Sequence, residues 1–159
     1  MDLRKVLINL QGQFLAYARE MCRHADDAED LVQTAMMKAL NTDRLPKTEG
    51  EVKPWFFRIM RNLHIDDVRK KNVRTEYLRD QIRLYNIEET NRSDMTRSLM
   101  VRQAFDRLDE DKREILFLVD VAGMKYAEIA EVMDIPIGTV MSRVSRARRE
   151  LLDILDSGN

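Results

Sequence analysis

Residues 135–155 read IPIGTVMSRVSRARRELLDIL. Pro136 and Gly138 stand at the start, and no helix breaker follows them. Val140, Val144, Ala147, Leu151 and Ile154 recur at spacings of four and three, the apolar stripe of an amphipathic helix. Ser142, Arg143, Ser145, Arg146, Arg148 and Arg149 fall on the other sides. Hydroxyl and guanidinium groups at that density suit phosphates and base edges. Taken alone, the pattern fits a solvated surface helix equally well, because basic helix faces are common.

The residues just upstream change the balance. Lys125 to Met133, KYAEIAEVM, predicts a short helix with Ile129, Ala130 and Val132 available for burial. Asp134-Ile135-Pro136 breaks it. Two helices joined by so tight a turn, the second one basic, describe a helix-turn-helix, which sets the start of its second helix in the DNA major groove. Ala130 is small where the two helices approach. Asp134 stands in the turn, where a left-handed backbone is usual; Asp tolerates that conformation better than most residues.

Tyr126-Ala127-Glu128-Ile129-Ala130, then Pro136-Ile137-Gly138-Thr139-Val140, then Ser142-Arg143 and Arg146-Ala147-Arg148, resemble region 4 of bacterial extracytoplasmic-function sigma factors of the sigma-70 family. Met141 departs from the pattern, standing where the family often has a basic residue. The resemblance implies contact with a −35 promoter element through Thr139, Ser142, Arg143, Arg146 and Arg149.

A second informative stretch is Pro54 to Arg74, PWFFRIMRNLHIDDVRKKNVR. It interleaves aromatics with Arg58, Arg61, Arg69, Lys70, Lys71 and Arg74. Basic groups attract a phosphate backbone and aromatics can stack on unpaired bases. For most of Trp55, Phe56 and Phe57, burial in a core is the better account. Asp27-Ala28-Glu29-Asp30-Leu31-Val32-Gln33, Trp55, Arg61-Asn62-Leu63, Ile65-Asp66 and Arg69 resemble region 2 of the same family. Two modules in the expected order are far more specific than either alone.

By that resemblance, Trp55, Arg58, Arg61, Asn62, Asp66, Arg69 and Lys70 meet the −10 element, beside the loop 41–53. Asp30, Gln33, Thr34 and Met37 meet core RNA polymerase, at the clamp helices of its β′ subunit, with the β subunit as a further contact. Thr34 stands where the family commonly has an acid. An anti-sigma factor is a further implied partner, with Met36 and Met37 as exposed apolar side chains suited to alternative partners.

The whole chain fits this reading. Its 159 residues are 44% hydrophobic and 35% charged, with five Gly and three Pro, a composition that favours a mostly helical, soluble protein. No apolar run approaches membrane-spanning length, and the N-terminus lacks a signal-peptide core. The single Cys22 cannot close an internal disulfide, which fits the cytoplasm. Net charge is −1, unevenly placed: residues 1–75 carry 14 basic and 11 acidic side chains, residues 100–159 carry 9 and 12. DNA contact must therefore come from local faces.

In order, the periodicity predicts a helix over Leu3–Cys22, with Leu7, Leu10, Phe14, Ala18 and Met21 inward. A second runs to about Leu40, capped by Asp26 or Asp27, with Ala28, Leu31, Val32, Ala35 and Ala39 buried. A polar loop follows, and Pro54 opens a third helix to about Lys71, with Phe56, Ile59, Met60, Leu63 and Val68 inward. Tyr77 to Ile87 can form a short helix, and Glu88 to Asp94 reads as linker. Leu99–Leu108 and Asp111–Val121 are two more helices, the second ended by Gly123.

The expected architecture is all-α: two small helical domains, 1–75 and 99–159, joined by a linker at 76–98. Extended at about 3.3 Å per residue, such a linker reaches nearly 80 Å. No large apolar surface for mutual packing is evident, so the relative placement of the domains is expected to follow the partner that binds them. Cys22 and His24 lack the second pair a zinc site needs. His64 reads as a surface residue of a basic helix. No phosphate-cradling glycine loop or nucleophile elbow appears, so neither an enzyme nor a cofactor is expected. The rival functions are a standalone helix-turn-helix regulator using only the C-terminal module, and a sigma-like decoy that binds a partner without DNA.

Overall fold

The structure is a computed structural model, described over residues 1–74 and 92–157, with side chains from 1–71 and 97–157. Among the described residues it holds seven α-helices and no strand. They are α1 (Leu3–Met21), α2 (Ala25–Leu40), α3 (Glu49–Arg74), α4 (Arg92–Asp106), α5 (Glu110–Leu116), α6 (Tyr126–Met133) and α7 (Ile137–Ser157). A widened π-helical turn, Phe117–Val121, continues α5. The expected short helix around Tyr77 to Ile87 lies outside the described residues.

The first three helices form one bundle. Leu7, Phe14, Ala18 and Met21 of α1 are buried, as their spacing predicts, and Leu10 is half-buried. They face Ala28, Val32, Ala35 and Ala39 of α2, whose small side chains let the helices approach closely. Phe14 stacks on Phe56 of α3 with ring centroids 4.1 Å apart, and meets Phe57 edge-on at 5.3 Å. Such pairs add about 0.5–1.5 kcal/mol beyond the area they bury.

Within this bundle, two helix starts differ from the sequence reading. His24, not Asp26 or Asp27, stands at the N-cap of α2 and makes no side-chain cap bond. The two aspartates lie inside the first turn, where the helix dipole still favours them. More instructively, α3 begins at Glu49 and carries Pro54 within it. Glu51 Oε2 accepts from the backbone N–H of Thr48 at 3.3 Å and of Lys47 at 2.8 Å. Thr48-x-x-Glu51 thus supplies half of a capping box, strong enough to start the helix ahead of the proline.

The C-terminal helices follow their signals more closely. Asp109 caps α5 by accepting from Lys112 N–H at 3.0 Å. Gly123 takes φ 67°, as its place after the π-turn requires. Lys125 caps α6, its N–H held by Glu128 Oε1 at 2.9 Å. Asp134 takes the left-handed conformation (φ 54°, ψ 51°), and Ile135 N–H reaches back to Ala130 O at 3.1 Å to close the turn. Val140, Val144 and Ala147 of α7 are buried, with Leu151 and Ile154 packed at the edge of the same core. α4 begins at Arg92, ahead of the expected Leu99 and inside the stretch read as linker.

The two bundles do not stand apart. Their buried side chains form one continuous core. α3 packs on α6, and α1 on α5. Tyr17 of α1 meets Phe117 edge-on at 5.9 Å. The expectation of unpacked domains fails because the joining surface is mixed: aromatics from α1, α3 and the π-turn surround a polar centre. A pattern search for a wholly apolar face passes over such a surface.

Candidate nucleic-acid interface

Burial of Val140, Val144 and Ala147 turns the opposite face of α7 outward. Ser142, Arg146 and Arg149 are exposed there, while Thr139 and Arg143 are half-buried. Ser142 Oγ donates to Gly138 O at 2.8 Å, and Arg146 Nε donates to Ser142 O at 3.3 Å. Arg143 and Arg146 line one shallow cleft with Ile115, Lys112 and the carboxylates of Asp109 and Asp111. Arg148 is drawn aside, its Nη2 donating to Asp120 Oδ1 at 2.7 Å. The arginines that α7 leaves on this side are therefore Arg143, Arg146 and Arg149, spaced over its second to fourth turns.

α3 presents a second face. Arg58, Asn62, Asp66 and Arg69 follow one another at spacings of four, four and three, so they share one side of the helix. All four are exposed, as is Lys70, and Trp55 lies half-buried at the head of the stripe. Phe56 and Phe57 are fully buried. Arg61 is not part of this stripe. Its Nε donates to Glu114 Oε1 at 3.1 Å, and its side chain is only 18% exposed.

A third surface is the outer side of α2. Asp30, Gln33, Thr34 and Met37 are all exposed, Met37 at 66%. Leu40 and Leu45 are also exposed nearby in sequence. Met36, expected to be exposed, is half-buried against the core.

The network around Arg61 was not legible as a site. Glu114 is buried, and its Oε2 accepts from Tyr17 Oη at 2.5 Å. Burial, and then the neighbouring Glu114 carboxylate, push the Tyr17 phenol well above its usual range, so it stays a hydrogen-bond donor. His64 is buried, not on the surface, and its Nε2 lies 2.7 Å from Glu110 Oε1. Burial alone would lower the His64 pKa; hydrogen bonds to Cys22 and Glu110, with the Glu110 charge, outweigh it and raise the value to about 9. Lys53 Nζ donates to Ala122 O in the turn before α6, and Arg102 of α4 pairs with Glu20 of α1. Burial lowers the Lys53 pKa, against the pull of Glu128. A signal for His64 did exist: it follows Phe56 and Met60 at steps of four, along the buried stripe. Glu114 gave no such signal: it closes the charged run Glu110-Asp111-Lys112-Arg113, just before the apolar run 115–119.

Similarity to known proteins agrees with this geometry. Residues 8–74 match the family profile of Sigma-70 region 2, and residues 98–151 that of Sigma-70, region 4. The chain is 34% identical over 157 residues to the ECF RNA polymerase sigma factor EcfG of Rhodopseudomonas palustris, covering 97% of this chain and 85% of that one. It is 30% identical over 139 residues to SigM of Mycobacterium tuberculosis, covering 87% and 69%. Among solved structures, the sigma factor RpoE of Bartonella quintana, in complex with the anti-sigma factor NepR, superposes with a TM-score of 0.79. Its identity is 28%, over 98% of this chain and 97% of that one. CnrH, in complex with the cytosolic domain of CnrY, shares the fold with a TM-score of 0.66 at 23% identity, over 99% and 89%. The chain belongs to the extracytoplasmic-function sigma factors, alternative sigma factors that direct RNA polymerase to initiate transcription at specific promoters.

Proposed function

We propose that this sigma factor meets its partners through three separate faces. The start of α7, with Thr139, Ser142, Arg143, Arg146 and Arg149, reads the −35 element as duplex in the major groove. The outer stripe of α3, with Trp55, Arg58, Asn62, Asp66, Arg69 and Lys70, meets the −10 element, joined by Arg61 when that side chain is released. The outer side of α2, with Asp30, Gln33, Thr34 and Met37, docks on core polymerase. The work is done with polymerase in the cytoplasm; this chain supplies recognition and the polymerase supplies the chemistry. An anti-sigma factor holds the chain between bouts of activity, as the NepR complex of the Bartonella protein suggests.

The observation that carries this reading is the outward placement of two cationic helix faces on two modules that occur in the family's order. A standalone regulator has no use for the exposed α3 and α2 surfaces, and a decoy has no use for the arginines of α7. Transcription with purified core polymerase on a randomised promoter library tests it. Selection of two spaced sequence elements is expected; selection of one element, or none, overturns it.

A further inference from the structure

We propose that α5 is an internal stand-in for the −10 DNA strand. Glu110 and Glu114 hold His64 and Arg61 of α3, so the docked chain keeps Arg61 from nucleic acid until the modules part. The proposal rests on the assignment of Arg61 to the −10 strand.

Glu110 and Glu114 lie one turn apart on α5, and Arg61 and His64 lie three residues apart on α3. The two pairs meet acid to base: Arg61 Nε to Glu114 Oε1 at 3.1 Å, His64 Nε2 to Glu110 Oε1 at 2.7 Å. A guanidinium takes carboxylate and phosphate with the same geometry, so the two acids present α3 with what consecutive phosphates would present. Held by Glu114 and only 18% exposed, the Arg61 side chain is kept from a strand outside the docked chain.

The polarity of this contact also sets how readily it opens. An apolar residue at position 114 would pack against Tyr17 and Phe117 with no charge to desolvate. A buried carboxylate recovers its hydration on separation, as do the Tyr17 hydroxyl and the Arg61 guanidinium. The docked state is therefore specific in register but modest in hold. Lys53 to Ala122 O and Arg102 to Glu20 fix the same register from the two flanks.

The test uses the full chain with Cys22 left in place, dyes attached through unnatural amino acids at the exposed Asn9 and Asp153, and a fluorescent random-sequence single-stranded DNA as probe. The double variant E110Q/E114Q keeps side-chain volume, so the fold of each module is retained. It is expected to lengthen the distance between dyes and to bind the probe roughly tenfold tighter, the worth of one freed charge-assisted contact. The charge swap R61E/E114R is expected to restore the short distance while leaving the probe weakly bound. An unchanged distance in E110Q/E114Q, with unchanged probe affinity, overturns the latch. A lengthened distance with unchanged affinity shows instead that Arg61 does not meet the strand, which removes that residue from the −10 face and with it the stand-in.

Discussion

Arg143 and Arg146 show what a single side chain can contribute at the α7 face. Both stand in the first turns of the helix, above the buried Val140 and Val144, in one cleft with Asp109 and Asp111. Those acids repel phosphate, which favours base edges as the partners of the arginines. Replacing either arginine with Ala is expected to remove about 1–3 kcal/mol of discrimination at one −35 position. Binding to a panel of single-base −35 variants measures it; a uniform loss across the panel assigns the residue to backbone contact instead. His64 gives a residue-scale prediction of another kind. Its folded pKa, about 9, lies above the ordinary 6.5. The stabilisation it confers is therefore complete below pH 6.5 and is lost as pH rises through 9, at no more than about 1.4 kcal/mol per pH unit. Melting of the wild type and of His64→Gln across pH 6–10 should converge with rising pH, and parallel curves would contradict the pairing.

At the scale of elements, the turn between α6 and α7 and the start of α3 are the informative cases. Asp134 holds φ 54° without a glycine's freedom. Asp134→Gly is expected to raise stability by up to about 1 kcal/mol, seen as a higher melting temperature with α7 still in place. Helices with strict apolar periodicity, α1, α6 and α7, and the end of α2, were legible in the sequence to within about two residues, because one buried face dictates them. The start of α3 was not, because Pro54 is the louder signal and Thr48 with Glu51 the decisive one. Asp30 tests the outer side of α2: charge reversal to Lys is expected to weaken binding to core polymerase about tenfold or more while leaving helicity unchanged, since the side chain is exposed and touches no core. Equal pull-down of polymerase by variant and wild type would remove α2 from that interface.

For the molecule as a whole, the two modules and the arginine face of α7 could be read from the chain, but their packing could not. Sequence periodicity reports which face of a helix is apolar. It says nothing about a carboxylate that is buried because a tyrosine and an arginine from distant helices satisfy it. Tyr17 and Glu114 are 97 residues apart and carry no shared pattern. Breaking that contact is expected to lower cooperativity. The wild type is expected to show one thermal transition and Glu114→Gln a split or broadened one, because docking then couples the two bundles less. Calorimetry decides it, and one unchanged, sharp transition would show that the aromatic contacts alone hold the bundles together.

The separation of the latch along the chain has a consequence in time. Translation delivers α1, α2 and α3 first, and forty residues separate Arg74 from Glu114. At 5–20 residues per second that interval lasts about 2–8 s. During it the newly made N-terminal bundle stands with Tyr17 and Arg61 without their later partners, since Glu114 and Phe117 have not yet been synthesised. Every molecule thus begins its life open, and the ribosome, before any inhibitor or promoter, sets the first moment at which it can close.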